Sequence, residues 1–248
     1  LRRSSNPDDS LMTMASIAPQ PAAAQLRSLG GEFAQMAALV ETQLSEAISA
    51  LERRDVALAE RIVKNDAKVD AFHARVDDGA MAILRAGSLT DRQFREAASL
   101  MKLAAELERV GDLAKSVSKR TVAVALETPP SSAVAGVVRM GRASLRQLSD
   151  ILNAYQAGNV DAAAAVWRGD NDLDELYSSL YDDVVKAMTR DQNQISPGVH
   201  LLFIVKNFER IGDHATNIAE AIHFVETGVY FAEERPKGEE PGAPARKP

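Results

Sequence analysis

The sequence predicts an all-α protein: a tandem duplication of a three-helix bundle, giving six long helices in two side-by-side bundles. Three observations carry this. Apolar residues recur at spacings of three and four through the middle of the chain, and no stretch alternates strictly as a half-buried strand would. Leu107-Glu108-Arg109-Val110-Gly111-Asp112 returns, almost unchanged, as Phe208-Glu209-Arg210-Ile211-Gly212-Asp213, 101 positions later. At an offset of 104, Ala50, Val56, Asp66 and Asp70 match Ala154, Val160, Asp170 and Asp174. The three positions lost between the two offsets fall between the second and third helices of each unit, where a turn absorbs them.

Residues 1–22 mix Arg, Ser, Asn, Asp and Pro without apolar periodicity and read as a disordered lead-in. Because the chain starts at Leu1, Met12 and Met14 are candidates for its natural beginning. The first unit is placed at residues 23–128. Its first helix runs from Leu26 through Phe33, Met36, Val40 and Leu44 to Leu51, and breaks at Arg53-Arg54-Asp55. The second carries Ile62, Val69, Phe72, Val76 and Ile83 and ends at Gly87, with Ser88 or Thr90 available to cap the next helix. The third carries Leu103, Leu107, Val110, Ala114, Val117 and Val124 and stops before Pro129-Pro130.

Residues 132–231 repeat the pattern. A helix over 135–153 and a turn at Ala157-Gly158-Asn159 lead into a helix from Val160 to about Met188. The last helix is expected to start with Ser196 as N-cap and Pro197 at its first position, and to reach Phe231. Residues 232–248, rich in Pro, Gly and charge, read as a disordered tail.

Composition narrows the function classes. A hydrophobic content of 46% with 26% charge is ordinary for a soluble globular chain. The absence of cysteine excludes disulfides and thiolate metal sites. The net charge of −6 resides wholly in the middle, since acids and bases balance at both ends, which argues against a nucleic-acid-binding face. No apolar run approaches the roughly 20 residues needed to span a bilayer. Arg2-Arg3 is followed by no hydrophobic segment of the kind a secretion signal needs.

The candidate functional residues are four acid pairs at i, i+4: Asp66 and Asp70, Glu108 and Asp112, Asp170 and Asp174, Glu209 and Asp213. That spacing stacks both carboxylates on one helix face. Like charges so placed cost a few tenths of a kcal/mol in an isolated helix. Asp70 precedes Thr90 by 20 residues and Glu108 follows it by 18, so antiparallel packing brings the two pairs of a unit to similar height. At about 100° per residue, Glu209 and Asp213 lie roughly 130–170° from the middle of the seam formed by Ile204, Phe208, Ile211, Ala215 and Ile218. Glu108 and Asp112 bear the same relation to their seam, and the Asp pairs flank theirs at roughly 70–130°. The expectation is two acidic platforms on the outer surface.

One such pair alone reads as a solvated face balanced by Arg109, Arg210, Lys64 or Arg168. Four pairs in matching register favour a hard cation, iron, Mn, Mg or Ca, over zinc. Gly111 and Gly212 inside helices cost about 1 kcal/mol each relative to Ala. They either leave room beside the acids or allow close helix packing. Asp70-x-x-His73 and Glu220-x-x-His223 imitate the carboxylate-histidine motif of di-iron bundles, but neither is duplicated: the repeat partners of His73 and His223 are Tyr177 and Val122. His214, beside Asp213, is an accessory ligand or nothing. Trp167, Tyr155 and Tyr177 are expected to pack at helix contacts. No phosphate loop, nucleophile elbow or metalloprotease motif is present, so no enzyme is expected.

With Glu-Arg-Val/Ile-Gly-Asp on each third helix and Asp-x-x-x-Asp on each second, the chain resembles the PhoU family of regulators of bacterial phosphate-specific transport. The run Asn207-Phe208-Glu209-Arg210-Ile211-Gly212-Asp213-His214-Ala215-Thr216-Asn217-Ile218 is especially close to the family's second motif, and the resemblance spans about residues 24–231. It implies a cytoplasmic, usually dimeric, non-enzymatic regulator that binds multinuclear metal clusters through Asp66, Asp70, Glu108, Asp112, Asp170, Asp174, Glu209 and Asp213. It further implies action between the phosphate ABC transporter, through its ATPase subunit, and a sensor histidine kinase, holding the phosphate-starvation response off when phosphate is plentiful. Contact with the membrane would be peripheral, through those complexes, and no nucleic acid is implied. The first unit departs from the pattern, with Leu113-Ala114-Lys115-Ser116 where the second has His214-Ala215-Thr216-Asn217. Two other readings stay open: a carboxylate-bridged iron redox bundle, and a purely structural bundle.

Overall fold

The computed structural model describes residues 22–169 and 171–232. The expected lead-in and tail lie outside the described residues except for Ala22 and Ala232, and Asp170 lies outside them too. Among the described residues eight α-helices follow in order: α1 (Ala22–Arg53), α2 (Val56–Asn65), α3 (Ala67–Ala86), α4 (Asp91–Ala125), α5 (Ser131–Ala157), α6 (Val160–Arg168), α7 (Asn171–Arg190) and α8 (Ile195–Thr227). Among the described residues there is no strand. The all-α duplication is therefore as read from the sequence, with one correction: the second helix of each unit is two helices, not one.

Local chemistry explains most of the boundaries. Asp55 opens α2 by accepting the Leu58 amide at 2.9 Å. Thr90 and Gln93 form a reciprocal capping box at the start of α4. Gly158, at φ 61°, ends α5 in the left-handed region, and Asn159 caps α6. In the first unit the interruption falls at Asp66, whose carbonyl takes the Val69 amide at 2.8 Å in a tighter, 3₁₀-type turn.

Two boundaries differ from expectation. The last helix does not begin at Ser196: a 3₁₀ turn over Gln192–Gln194 leads directly into Ile195. Ser196 is spent instead as a donor to Glu127 at 2.7 Å, pinning the α4–α5 connection. At the far end α8 stops at Thr227, where Gly228 turns the chain at φ 81°. Phe231 then folds back to stack on Trp167 at 4.6 Å and on His223 at 4.2 Å.

The units pack side by side around one continuous core. Helices α1, α4, α8 and α5 form a central four-helix arrangement, with α2–α3 on the α1/α4 edge and α6–α7 on the α5/α8 edge. Phe33, Met36, Leu44, Leu107, Met140 and Phe208 are among the fully buried side chains that fill it. The most extensive contact is between α4 and α8, the two third helices. They run antiparallel in a register that two hydrogen bonds define. Asn217 donates to Glu106 at 3.1 Å, and Asn207 donates to Ser116 at 3.0 Å. At the offset of 101, Glu106 corresponds to Asn207 and Ser116 to Asn217, so each bond is the other's repeat image. The duplication thus closes on itself as an internal two-fold whose level is that of Gly111 and Gly212.

Candidate functional site

The first acid cluster forms where the α2–α3 break faces α4. Asp66 is buried, 3% exposed, although helical phase placed it on an outer platform. One unbroken helix would put it there, but the tight turn at Asp66 resets the 100° count. Its carboxylate accepts Gln43 Nε2 of α1 at 3.2 Å through Oδ1 and Lys115 Nζ of α4 through Oδ2. Lys115 also donates to Asp112 Oδ1 at 3.3 Å. One lysine therefore ties the acid at the α2–α3 break to the acid of α4. Its own pKa is raised by the Asp66 hydrogen bond, which outweighs the opposing effect of burial.

Glu108 lies one turn before Asp112 on the same face and is partly buried. Desolvation raises its carboxyl pKa, and the Asp112 charge and hydrogen bond raise it further, against Arg109 and His73. Arg109, itself exposed, lies 3.6 Å from Glu108 and 3.9 Å from Asp112, contacts that solvent screening on the arginine side keeps weak. Asp70 is exposed and enters no described ion pair. The structure thus links Asp66 to Asp112 through Lys115 and sets Glu108 beside Asp112, while Asp70 is exposed.

The second cluster is built on α7 and α8. Glu209 is partly buried, and its carboxyl is pushed up by desolvation and by the Asp213 and Asp174 charges, against Lys206. Asp174 of α7 therefore lies close enough for its charge to act on Glu209 of α8. Lys206 Nζ donates to Glu209 Oε1 at 2.8 Å and lies 5.0 Å from the Tyr177 ring. Glu209 Oε2 is buried and has no hydrogen-bond partner among the described residues. A buried acceptor in that condition is costly without a cation.

Each unit thus sets a lysine beside its acids, but from different positions. Lys115 corresponds to Thr216, and Lys206 corresponds to Ala105, so neither lysine is repeated. Among the described residues no three His, Asp or Glu side chains are gathered tightly enough to hold a metal ion. The donor chemistry nevertheless fits a hard cation: oxygen ligands only, in pairs, one oxygen of Glu209 buried and uncommitted.

Gly111 serves both of its expected roles at once. A Cβ there would lie 3.3 Å from Val69 Cγ1 and 3.8 Å from Asp66 Oδ1, so the bare backbone lets α3 approach and leaves room beside the carboxylate.

The histidines make their described hydrogen bonds and ion pairs elsewhere, although His73 lies near enough to Glu108 to act on it. His73 pairs with Asp77 at 3.4 Å rather than with Asp70. His223 Nδ1 is 2.9 Å from the Val229 carbonyl, and Glu220 accepts from Trp167 Nε1 at 3.4 Å. The two carboxylate-histidine spacings are therefore local architecture. His214 Nδ1 meets Glu106 at 2.6 Å across the α4–α8 contact, which makes it a cross-unit tie. Of the aromatics, Trp167 is buried at the α6–α8 contact and Tyr155 packs edge-on against Phe33 at 4.7 Å. Gln43 was not singled out from the sequence. Its signal was available, because at the offset of 104 its counterpart is Gln147.

The PhoU domain model matches residues 33–121 and again 137–222. A phosphate-specific transport system accessory protein PhoU homolog of Caulobacter vibrioides is 35% identical over 213 residues, covering 86% of this chain and 93% of its own. The homolog of Xylella fastidiosa is 36% identical over 214 residues, and the PhoU accessory protein of Escherichia coli is 29% identical over 208. The crystal structure of PhoU from Pseudomonas aeruginosa aligns with a TM-score of 0.81 at 27% identity, covering 84% of this chain and all of that one. A Streptococcus pneumoniae phosphate transport system regulatory protein PhoU shares the fold, with a TM-score of 0.78. These relatives are named as accessory or regulatory proteins, not as enzymes.

Proposed function

Because the chain belongs to the PhoU family, we propose that it is a metal-responsive adaptor in phosphate regulation, linking the phosphate ABC transporter to a sensor histidine kinase. Its role is that of an accessory protein of phosphate transport rather than an enzyme. In this reading the protein is cytoplasmic and dimeric, and it holds the starvation response off when phosphate is plentiful. No helix among the described residues is long and apolar enough to cross a membrane, so contact with the transporter would be made from its surface.

The observation that carries the metal part is Glu209 Oε2, buried with no hydrogen-bond partner among the described residues, while the Asp213 and Asp174 charges act on the same carboxyl. Glu209, Asp213, Asp174 and Asp170 would hold a hard cation in the second unit, and Asp66, Asp70, Glu108 and Asp112 in the first. A bound cation would supply positive charge that relieves the repulsion within each pair. What the chain itself does is position acids on α3, α4, α7 and α8 and set a lysine beside each cluster. The two units differ in readiness. Asp66 is already committed to Gln43 and Lys115, whereas Glu209 keeps a free oxygen.

Deleting the gene tests the regulatory reading: phosphate-starvation genes should be expressed in high phosphate, and unchanged expression would overturn it. Elemental analysis of protein purified without chelator or affinity-column metal tests the metal reading. Bound Mn, Mg, Ca or iron should fall in a Glu209→Ala/Asp213→Ala variant; no metal in either protein would favour a purely structural bundle. The redox reading predicts substrate oxidation after anaerobic iron loading and oxygen exposure, and has only the carboxylates to support it.

A further inference from the structure

The turn that joins α1 to α2 and the turn that joins α5 to α6 share one set of hydrogen bonds. The Arg54 amide donates to the Leu51 carbonyl and the Asp55 amide to that of Ala50. At the offset of 104, the Gly158 amide donates to the Tyr155 carbonyl and the Asn159 amide to that of Ala154. Gly158 sits at φ 61°, a left-handed geometry that favours glycine, yet its counterpart Arg54 adopts φ 53° with a full side chain. The first unit thus keeps an arginine where the backbone suits glycine.

Arg54 lines a cavity of about 410 Å³ between the end of α1 and the start of α5. Arg139 and Arg142 of α5 line it too, and Glu52 is the one acid among its lining residues. None of the three arginines is repeated: their counterparts are Gly158, Gln35 and Ala38. Helices α1 and α5 run antiparallel, with Glu52 bonded to Arg142, Glu41 to Ser149 and Phe33 against Tyr155. The repeat image of the cavity lies at the other end of that contact, where Gly30, Ala34, Gln156 and Gly158 correspond to Val134, Val138, Glu52 and Arg54. There Glu96 and Glu226 stand with Arg92, so one duplicated architecture carries opposite charge at its two ends.

Donors remain open in the basic cavity. Arg142 is anchored by Nη2, which donates to both Glu52 oxygens at 2.8 and 2.7 Å, and its other N–H groups make no described hydrogen bond. Arg54 makes one long bond, to the Glu127 carbonyl at 3.5 Å, and Arg139 enters no described ion pair. Arg139 also lines a neighbouring cavity with Lys186 and Arg190. From Ser131 to Arg142 the groove runs about 16 Å along α5. Arg142 and Glu52 mark one end of it, and Arg54, reaching the residue Glu127 ahead of α5, marks the other.

We propose that this groove binds a small anion carrying linked phosphoryl groups, as in pyrophosphate, tripolyphosphate or the tail of a nucleotide. Guanidinium forks pair with phosphoryl oxygens bidentately. Arginines spread along a groove of this length fit negative charge that recurs along a ligand better than a single orthophosphate. An acidic peptide is a poorer occupant, because its backbone amides would lie over Val134 and Val138, both buried and apolar, without partners. A bilayer is poorer too, since a flat sheet of headgroups does not enter a groove between two helices. The inference stands apart from the metal and adaptor readings: it uses neither the acid clusters nor a partner protein.

The test is calorimetric titration of the full chain, kept in chelator, with orthophosphate, pyrophosphate, tripolyphosphate and ADP. Tripolyphosphate should bind at least tenfold tighter than orthophosphate, and its affinity should fall as salt rises. Arg54→Gly/Arg139→Gln writes the repeat counterparts into the groove. It should bind tripolyphosphate at least tenfold more weakly while melting no lower than wild type, because glycine suits the φ of residue 54. Arg139→Gln alone, at an exposed position, should weaken binding threefold or more and serves if the double variant folds poorly. Arg146→Gln, exposed on the same helix outside the groove, should bind as wild type. ADP bound more tightly than pyrophosphate names a nucleotide as the source of the phosphoryl groups, and the reverse names a free oligophosphate; either upholds the inference. It is overturned if wild type binds no oligophosphate at millimolar concentration, if the arginine variants match wild type within twofold, or if orthophosphate binds as tightly as tripolyphosphate. Binding seen only after Mn²⁺ is added, or to phosphatidylglycerol vesicles and not to tripolyphosphate, overturns it as well. None of these failures touches the regulatory reading, which gene deletion tests.

Discussion

Lys115 of α4 grips the carboxylate of Asp66, a residue only 3% exposed at the α2–α3 break, and so supplies the positive charge beside it. Removing the lysine leaves Asp66 with Gln43 alone. Breaking a fully buried pair from one side costs about 3–5 kcal/mol, but Lys115 is partly solvent-accessible and the Gln43 bond survives. Lys115→Met should therefore lose about 1–3 kcal/mol in urea unfolding after chelator treatment. Added Mn²⁺ should restore more stability to the variant than to wild type. Equal restoration would mean that the lysine and the metal do not compete for one place.

In the second cluster the same logic runs with opposite sign. Burial, reinforced by Asp213 and Asp174, holds the Glu209 carboxyl above its ordinary value despite Lys206. A raised folded-state pKa contributes stability fully present below the unfolded value near 4.5, and lost as pH rises through the folded value. At neutral pH the ionised Glu209 is then a net cost in metal-free protein. Glu209→Gln should be more stable than wild type at pH 7.5, with the difference vanishing toward pH 4.5. With Mn²⁺ at 100 times its Kd the order should invert, because wild type gains about 2.7 kcal/mol and the variant does not. A variant stabilised equally by Mn²⁺ would remove Glu209 from the ligand set.

These two lysines show where reading the sequence stops. The repeat, the three-and-four spacing and the acid pairs were all visible, because each is periodic or duplicated. Lys115 and Lys206 were not, since each is unique to one unit and a solitary lysine has no pattern. The break at Asp66 was equally hidden. Asn65 and Asp66 interrupt no apolar spacing, and only Gly169 in the second unit hinted at a stop. Ser196-Pro197 misled because a good capping pair also suits the first turn of a helix already begun. Partial burial of the acids followed from these misses: α4 is packed on one side by α1, α2 and α3 and on another by α8, which one apolar seam cannot convey.

Gly111 offers a test of how closely the first cluster depends on helix approach. Alanine gains about 1 kcal/mol over glycine inside a helix. Its Cβ, however, would stand 3.3 Å from Val69 Cγ1, and Val69 is 1% exposed, so a packed neighbour must give way. Gly111→Ala should fall within about 0.5 kcal/mol of wild type. Gly111→Leu should cost about 2 kcal/mol or more by forcing α3 away from α4. Amides of α3 should then exchange with solvent faster while those of α5 do not. Unchanged exchange in α3 would show that the glycine is not what sets the approach.

The cross-unit tie between His214 and Glu106 should appear as a pH dependence. Burial alone would raise the Glu106 carboxyl, but hydrogen bonds from His214 and Asn217 and the charges of His214 and Lys102 together hold it below its ordinary value. A lowered folded-state pKa contributes stability present above the unfolded value, near 4.5, and lost as pH falls through the folded value. His214→Ala removes the strongest of those opposing contacts. It should cost about 1–3 kcal/mol at neutral pH, in the range of hydrogen bonds to charged groups. Because the Glu106 carboxyl then moves back up, stability should also fall less steeply on acidification through roughly pH 5 to 3 than in wild type. His214→Gln, which keeps a donor, should recover part of both effects. Unfolding free energies measured from pH 3 to 7.5 decide the matter. Parallel curves for wild type and His214→Ala would show that the 2.6 Å contact holds α4 to α8 by shape and not by charge.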